Sequence, residues 1–395
     1  MLSEAARPYI AASVPVLREH GERITRAFYG AMFQAHPELQ HVFNMGNQKS
    51  GVQQNALAGA LFAYAANIDN GSALAPVVDR IVHKHAAVGI KPSHYPIVAR
   101  HLLGAIRTVL GDAATPELLS AWDEAYWLLA GELIAAEARL YQRTGADAGA
   151  LTALPVVRVE RESPSVTSFY LQRDGASPGS FQPGQYVSVA VDLPGGLRQL
   201  RQYSLSDAPS APHWRISVKR EDAGASPAGE VSNHLHAHAA PGQRLLVSAP
   251  FGTFTPLAAT GSGPLAFLSG GVGITPLMSV LNALAQAGSD RPLLFAHAAQ
   301  SPSEQLFSAE LQRARERLPG LCALVFHERD ASPGVQAGRM QLSAATLADF
   351  RHGHFFLCGP QGFMREQWRA LLSQGISPQQ IDREVFGPDL LEHLR

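Results

Sequence analysis

Cysteine and net charge are both scarce in this chain of 395 residues. Cys322 and Cys358 are its two cysteines, which excludes a disulfide-stabilised scaffold and fits a reducing compartment. The formal net charge is −1, so no basic excess indicates binding to nucleic acid or to an anionic membrane surface. The N-terminal stretch lacks the basic and apolar segments of a secretion signal. We therefore expect a cytoplasmic protein without nucleic-acid partners.

Charged residues are absent from one long segment, residues 245–289. Such a segment would be compatible with a membrane span, but four prolines and many glycines interrupt it. No clean run of about 20 apolar residues is left. We predict that this segment forms a buried sheet with loops and that the protein has no stable membrane association. We also expect the protein to be a monomer.

The pattern of apolar residues divides the chain into three regions. The first shows helical spacing, as at Ile24, Phe28 and Ala31, and a small, nearly uncharged linker, TGADAGALTAL, follows it. Short β-like runs separated by turns then predict an antiparallel barrel, and alternating strands and helices after it predict a parallel sheet. The predicted domains are an all-α region at 1–147, a β-barrel at 153–257 and an α/β region at 262–395.

Three motifs in the second and third regions are suited to binding phosphates and flat rings. In RQYS (201–204), an arginine can pair with a phosphate, a tyrosine can cover a ring, and a serine can bind a ring nitrogen. In GEVSN (229–233), the start of a helix can offer backbone N–H groups to a pyrophosphate. GGVGITP (270–276) follows a buried strand and precedes a helix, where glycines let the backbone approach a phosphate.

Together with PGQY (183–186), LCGP (357–360) and FGP (386–388), these motifs resemble the ferredoxin–NADP reductase superfamily. The resemblance implies that FAD is bound by Tyr186, Arg201, Gln202, Tyr203, Ser204, Gly229, Glu230, Val231 and Ser232. It implies that the nicotinamide nucleotide is bound by Gly271, Val272, Gly273, Ile274, Thr275, Pro276, Cys358, Gly359 and Pro360. It adds a C-terminal group near the flavin ring, formed by Glu384, Val385, Phe386, Gly387 and Pro388.

The choice between NADH and NADPH depends on the end of the second strand in the parallel sheet. A 2′-phosphate usually needs an arginine at that place. The stretch HAAQSPSEQLF (297–307) has neither arginine nor lysine. The sequence therefore favours NADH.

The helical region contains candidates for a haem pocket, as a globin would. Gln53 and Leu57 are four residues apart and share a helix face. A phenol such as Tyr29 and an amide such as Gln53 can together hydrogen-bond an iron-bound dioxygen. His83 and His85 are two residues apart, so they face nearly opposite sides of a helix and only one of them can point at a haem.

The whole chain resembles the flavohaemoglobins, the bacterial and fungal nitric oxide dioxygenases. The helical part contributes HPELQ (36–40), FNMGNQ (43–48), YPIV (95–98) and HLL (101–103) to this resemblance. It implies a globin haem domain, an FAD-binding barrel and an NAD(P)-binding domain. It selects His85 as the ligand of haem b iron, since the family's ligand follows a lysine and precedes a tyrosine by ten positions. The other residues it implies are Tyr29, Gln53, Tyr95 and Glu137 in catalysis, and Phe43, Leu57 and Lys84 near the cofactors.

The resemblance also implies a reaction with O2 and nitric oxide as small-molecule partners. NAD(P)H would reduce FAD, FAD would pass electrons singly to the haem iron, and the oxygen-bound ferrous haem would convert nitric oxide to nitrate. Three alternatives stay open. They are an oxygen carrier or sensor, an NADH-dependent reductase acting on peroxides or other acceptors, and an iron or flavin reductase with a helical partner-binding module.

Overall fold

The computed structural model describes residues 1–173, 176–224, 227–259, 261–330 and 334–387. Its elements follow the predicted order of helices, an antiparallel sheet and a parallel sheet with helices, so the predicted fold class is confirmed. The described residues form two compact units. The first contains Met1–Leu151 and Ala190–Arg201, and the second contains Thr152–Val189 and Gln202–Gly387.

The helical part places its longest helices around one apolar core. Asn70 and Thr115 begin two of these helices by accepting hydrogen bonds from backbone N–H groups of the first turn. Met32 is fully buried, whereas Ala31 is exposed, so the predicted position of Ala31 on the apolar face is wrong. The buried row instead follows the four-residue spacing from Phe28 to Met32. The helices are α1 Arg7–Ala35, α2 Met45–Lys49, α3 Val52–Ala66, α4 Gly71–Val88, α5 Tyr95–Leu110 and α6 Pro116–Thr144.

The antiparallel sheet has the strand order β4-β3-β6-β1-β2-β5 within the described residues. Strand β1 pairs antiparallel with β2 and β6, and β2 pairs antiparallel with β5. Its elements are β1 Thr152–Arg161, β2 Val166–Leu171, β3 Tyr186–Asp192, β4 Arg198–Ser204, β5 Trp214–Lys219, α7 Glu230–His238, β6 Arg244–Val247 and α8 Pro256–Ala259.

One segment of this sheet is bonded to the helical part inside the first unit. The Gln199 Nε2 group donates to the carbonyl of Gln40 at 2.9 Å, and the Met45 N–H donates to Gln199 Oε1 at 3.3 Å. Gln199 is completely buried, so these bonds are shielded from water. The first half of β4 is therefore anchored in the helical unit.

The parallel sheet has the order β10-β9-β8-β7-β11-β12 within the described residues. Neighbouring residues such as Phe267 and Leu268 lie in apolar clusters on opposite faces of the sheet, and both are fully buried. Helices cover both faces, which explains the uncharged sequence of this region. Its elements are β7 Leu265–Gly270, α9 Ile274–Ala287, β8 Leu293–Ala299, α10 Ser308–Arg317, β9 Leu321–His327, β10 Gln336–Ala337, α11 Ala344–Leu347, β11 His354–Cys358, α12 Gln361–Ser373 and β12 Ile381–Glu384.

Helices in the described part of the chain are too short or too polar to cross a membrane.

Candidate functional site

A histidine, a tyrosine and a glutamate from three helices meet inside the helical unit. The Nδ1 atom of His85 on α4 lies 2.8 Å from Oε1 of Glu137 on α6. The hydroxyl of Tyr95, at the start of α5, donates to the same Oε1 atom at 2.6 Å. Glu137 is buried, with 2% of its surface exposed. The structure therefore brings together three residues that are separated by up to 52 positions in the sequence.

This arrangement determines which nitrogen of His85 carries the proton. An ionised carboxylate only accepts hydrogen bonds, so the Nδ1 atom of His85 must be the donor. The Nε2 atom then carries the lone pair, and it has no hydrogen bond to a described residue. Burial, followed by the hydrogen bond to Glu137, raises the pKa of Tyr95 above its ordinary value. Tyr95 thus stays a neutral donor, and His85 presents an unprotonated nitrogen away from Glu137.

A second polar group in the helical unit surrounds Tyr29 on α1. Tyr29 is 5% exposed, and its ring centroid lies 5.8 Å from that of Phe43. Burial raises the pKa of the Tyr29 hydroxyl to about 12, although the side-chain amides of Gln53 and Gln48 act in the opposite direction. The predicted pair of Tyr29 and Gln53 is therefore close together. Gln48 is a third member that sequence reasoning missed, although it ends the motif FNMGNQ.

The remaining residues predicted for the haem pocket lie in or beside the same core. Phe43 and Leu57 are partly buried and pack against the cluster that contains Tyr29. Lys84 lies on α4 next to His85 and is also partly buried. His83, two residues before His85 on the same helix, is partly buried as well, and burial lowers its pKa.

The donors of the helical unit fit a haem. Within the described residues, no group of three or more His, Cys, Asp or Glu side chains could hold a metal ion by itself. The open Nε2 atom of His85 suits an ion whose other ligands come from a macrocycle. In addition, Gln48 Nε2 and Gln54 Oε1 are buried without a hydrogen-bond partner. Unpaired buried amides at this place are the expected mark of a polar ligand site.

The RQYS residues form the end of β4. Side chains alternate along a strand, so Arg201 and Tyr203 point to one face, and Gln202 and Ser204 to the other. The Gln202 Nε2 group donates to Ser188 Oγ at 3.1 Å, and Ser204 is buried. Arg201 donates to the carbonyl of Leu200 at 2.7 Å.

The GEVSN residues form the first turn of α7, as predicted. Gly229 precedes this turn, and a Cβ atom at this position would lie 2.5 Å from Ser232 Oγ. The Ser232 hydroxyl donates to the carbonyl of Gly229 at 3.1 Å. Glu230 is exposed and Val231 is buried. This compact turn leaves the N–H groups at the start of a helix available to an anion.

The glycine motif of the third region lies at the point where the strand order reverses. From β7 the sheet runs through β8 and β9 on one side and through β11 and β12 on the other. Gly271 has φ +53°, and a Cβ atom on Gly273 would lie 2.3 Å from the carbonyl oxygen of Cys358. Ligands of open α/β sheets bind at such a switch point, beyond the carboxyl ends of the strands. The two loops brought together here contain the predicted residues Gly271, Val272, Gly273, Ile274, Thr275, Pro276, Cys358, Gly359 and Pro360.

Glu384 at the end of β12 links the motifs of the second unit. It pairs in register with Cys358, and its charge raises the pKa of both Cys358 and Tyr186, after the larger effect of burial. Phe386 is 48% exposed, an unusual position for a large apolar ring. Val385 is partly buried, Gly387 has φ +116°, and Pro388 lies outside the described residues.

One arginine that the sequence argument did not consider lies near the end of β8. Arg329, which follows β9, donates from Nη2 to Gln300 Oε1 at 3.3 Å. Its backbone N–H also donates to the carbonyl of Gln300 at 2.9 Å. The stretch 297–307 has no arginine or lysine, but the segment that follows the neighbouring strand β9 supplies Arg329. The predicted preference for NADH therefore stays open at this edge of the sheet.

Comparisons with known proteins agree with these features. The globin family model matches residues 26–133, and that of the oxidoreductase NAD-binding domain matches residues 267–368. A flavohemoprotein of Bordetella parapertussis is 46% identical over 403 residues, covering 98% of this chain and 99% of that protein. The flavohemoglobin of Malassezia yamatoensis, solved with bound FAD and haem, has a TM-score of 0.89 at 31% identity, covering 98% of this chain and all of that one, 100%. The FAD/NAD-binding domain of a nitric oxide dioxygenase from Vibrio cholerae has a TM-score of 0.55 at 35% identity, covering 60% of this chain and 98% of that one.

The predicted order of a globin, an antiparallel sheet and a nucleotide-binding domain is thus confirmed, as is the prediction of an oxidoreductase. With relatives of this identity over nearly its whole length, the chain belongs to the flavohemoprotein family.

Proposed function

We propose that this protein is an NAD(P)H-dependent nitric oxide dioxygenase that converts nitric oxide to nitrate with O2. In this proposal, residues 1–147 bind haem b through His85, residues 153–257 bind FAD, and residues 262–395 bind the nicotinamide nucleotide, with NADH favoured. When bound, the nicotinamide nucleotide would supply a hydride, FAD would accept its two electrons and pass them on one at a time, and the haem would supply an iron at which dioxygen can be activated. The flavohemoglobin that was solved with both FAD and haem, and the nitric oxide dioxygenase domain, support this proposal.

The observation that carries the proposal is the hydrogen bond from His85 to the buried Glu137. A carboxylate that accepts the Nδ1 proton increases the basicity of the opposite nitrogen and fixes the orientation of the ring. A more basic ligand favours oxygen activation over simple storage. The Tyr95 hydroxyl holds the same carboxylate oxygen and keeps it in place.

Tyr29 and Gln53 are proposed to orient the ligand on the distal side. With a pKa of about 12, the Tyr29 hydroxyl keeps its proton at neutral pH and can donate it in a hydrogen bond. A donor in a buried pocket stabilises negative charge more strongly than it would in water. Phe43 and Leu57 supply the apolar surroundings that exclude water from this donor.

In the second unit, the proposed residues bind and align two flat rings. Because Gly273 has no side chain, the loop after β7 can lie against the loop after β11. We propose that the nicotinamide nucleotide binds beside these two loops, at the strand ends. Ser204 and Gln202 on β4 provide polar groups for the flavin edge, and Tyr203 provides a ring to cover it. A carrier or sensor of oxygen would not need these elements, so they favour an enzyme.

The experiment is to measure consumption of nitric oxide under air, with NADH as the reductant and nitrate quantified. We expect loss of nitric oxide that requires both NADH and O2, and one nitrate for each nitric oxide. The absorption spectrum should show a Soret band with a flavin shoulder. Reduction of haem by NADH without faster loss of nitric oxide would contradict the proposal and leave a reductase of other acceptors. NADPH in place of NADH tests the cofactor preference, and gel filtration tests the proposed monomer, which we place in the cytoplasm.

A further inference from the structure

The side chain of Gln199 on β4 is bonded to residues that are assigned to two different cofactors. Its Oε1 atom accepts from the Met45 N–H and from Arg201 Nη1, both at 3.3 Å. Its Nε2 group donates to the carbonyls of Gln40 at 2.9 Å and Phe43 at 3.4 Å. Phe43 is one of the residues predicted for the haem pocket, and Arg201 is one of those predicted for FAD. A single side chain therefore joins the two groups of residues.

The surroundings of this amide allow it one orientation. A main-chain N–H and a guanidinium can only donate hydrogen bonds, whereas main-chain carbonyls can only accept them. The oxygen of Gln199 faces two donors and its NH2 group faces acceptors, so a turned amide would bring groups of like polarity together. Gln199 is completely buried, where an unpaired polar group is costly. The amide is therefore fixed between the helical segment and the end of β4.

The helical segment on the other side of this amide is held by its own bonds. Asn44, which follows Phe43, accepts at Oδ1 from the Gly46 N–H at 3.0 Å, and this bond caps the start of α2. A Cβ atom on Gly46 would lie 3.9 Å from Arg201 Nη2, so the start of α2 lies against this arginine. Gln199 thus connects two parts of the chain that already have a defined local structure.

We propose that Gln199 sets the rate of electron transfer from FAD to the haem iron, by fixing Arg201 of the flavin motif against the segment that carries Phe43. In each transfer one electron leaves reduced FAD, and one ferric iron becomes ferrous. A misplacement of about 1 Å between reacting groups can lower a rate about 100-fold. Gln199 is a positioning residue in this step, since it acts through Arg201 and Phe43. This inference deepens the proposed function and rests on it, because both cofactors must bind.

The test separates two steps in the holoprotein by anaerobic stopped-flow mixing with NADH under carbon monoxide. Loss of flavin absorbance reports hydride transfer to FAD, and the Soret band of the carbon monoxide complex reports electron transfer to the haem. In Gln199→Leu, we expect the second rate to fall about tenfold or more, because the two segments are no longer held together. The first rate should stay at the wild-type value. Equal losses in both steps would overturn the inference.

The neighbouring residue on β4 provides the matched control. The Arg198 side chain pairs with Asp192 and is 43% exposed, so Arg198→Ala should leave both rates unchanged. The main-chain N–H of Arg198 donates to His41 Nδ1 at 2.9 Å. This bond does not depend on either side chain of the pair 198–199, so β4 should stay attached to the helical unit in both variants.

Hydrogen–deuterium exchange adds a measurement that does not require turnover. The Met45 N–H loses its acceptor in Gln199→Leu, so the peptide that contains Met45 should exchange faster than in the wild-type protein. Faster exchange together with an unchanged rate of haem reduction would show that Gln199 only attaches β4, and it would overturn the inference.

A second variant, Gln199→Asn, covers the case in which Gln199→Leu does not fold or does not bind both cofactors. It keeps the amide but is one methylene shorter, so it cannot reach the partners on both sides. We expect haem reduction to slow by less than in Gln199→Leu, with hydride transfer unchanged. A wild-type rate of haem reduction in Gln199→Asn would overturn the inference. A wild-type protein that reduces its haem with NADH but leaves nitric oxide unconsumed would contradict the proposed function alone.

Discussion

The helical unit contains two buried polar groups, and they differ in how complete their hydrogen bonds are. Around His85, the bond to Glu137 is 2.8 Å long, and the bond from Tyr95 to the same carboxylate oxygen is 2.6 Å long. In the group around Tyr29, Gln48 Nε2 is buried with no partner among the described residues, and so is Oε1 of Gln54, which is bonded to Gln48. In the first group, the hydrogen bonds of Glu137 are made within the protein, whereas the second group contains buried amide atoms without a partner.

The two groups are therefore suited to different roles at a bound cofactor. A network whose hydrogen bonds are already made holds its geometry before any ligand is present. The bond from His85 to Glu137 can therefore set the orientation and basicity of the His85 ring before an iron binds to Nε2. An unsatisfied network is completed by what binds to it, because unpaired buried polar atoms are costly. The first group is thus suited to hold a permanent ligand, and the second to receive a polar ligand that comes and goes.

The largest effect is expected from His85→Ala, which removes the proposed iron ligand. The variant should lose the Soret band, and with it all consumption of nitric oxide, while the flavin spectrum is kept. His83→Ala, two residues earlier on the same helix, is the matched control and should retain haem. Haem retained in His85→Ala would mean that another residue is the ligand.

Tyr29→Phe tests the unsatisfied group and should have the second largest effect. Loss of one donor aimed at developing negative charge lowers turnover about 100-fold. Stopped-flow reduction of FAD by NADH should be unchanged, because Tyr29 lies on α1, whereas the predicted FAD motifs lie on β4 and at the start of α7. If both rates fell together, Tyr29 would not be acting on the distal ligand.

Glu137→Gln tests the satisfied group without removing its ligand nitrogen. The amide has no full negative charge, so the Nε2 atom of His85 becomes less basic and the haem reduction potential should rise. Removing the hydrogen-bond partner of a metal-bound histidine lowers activity about tenfold or more. We therefore expect nitric oxide turnover to fall about tenfold. An unchanged potential would show that Glu137 only supports the structure.

Tyr95→Phe removes one of the two donors to Glu137 and should act mainly on stability. Glu137 keeps its bond with His85, so the haem potential should stay near the wild-type value. The free energy of unfolding, measured with denaturant on the holoprotein, should fall by about 1–3 kcal/mol because a buried carboxylate loses a donor. A change in potential as large as that of Glu137→Gln would contradict this division of roles.

The smallest effect is a pH dependence that appears only in alkali. Tyr29 has a folded-state pKa of about 12, above the ordinary value of 10.0. Its contribution to stability is therefore complete below pH 10 and is lost as the pH rises toward 12, since the unfolded chain releases its proton first. The loss is about 1.4 kcal/mol for each pH unit in this window. Tyr29→Phe should remove this part of the slope in unfolding curves recorded from pH 9 to 12.

Much of the architecture could be predicted because its signals are local. Helical spacing around Phe28, and glycines between a buried strand and a helix at Gly271 and Gly273, depend on residues that are close in sequence. The prediction that Ala31 lies on the apolar face of α1 was wrong, because spacing alone does not say which neighbouring helices will cover a residue. Arg329 was missed for a related reason: it contacts Gln300, after the end of β8, from the segment that follows β9.

The family, the order of the three regions and the candidate residues could be predicted without a structure, because they depend on motifs and periodicity along the chain. The bonds that join those residues depend on the tertiary structure. It brings Glu137 to His85 across 52 positions, and thereby decides which ring nitrogen is free. It also holds the Gln54 amide against the main-chain carbonyl and the side-chain oxygen of Gln48. The direction of a hydrogen bond depends on which atoms meet in space, and the order of residues in a chain does not specify this.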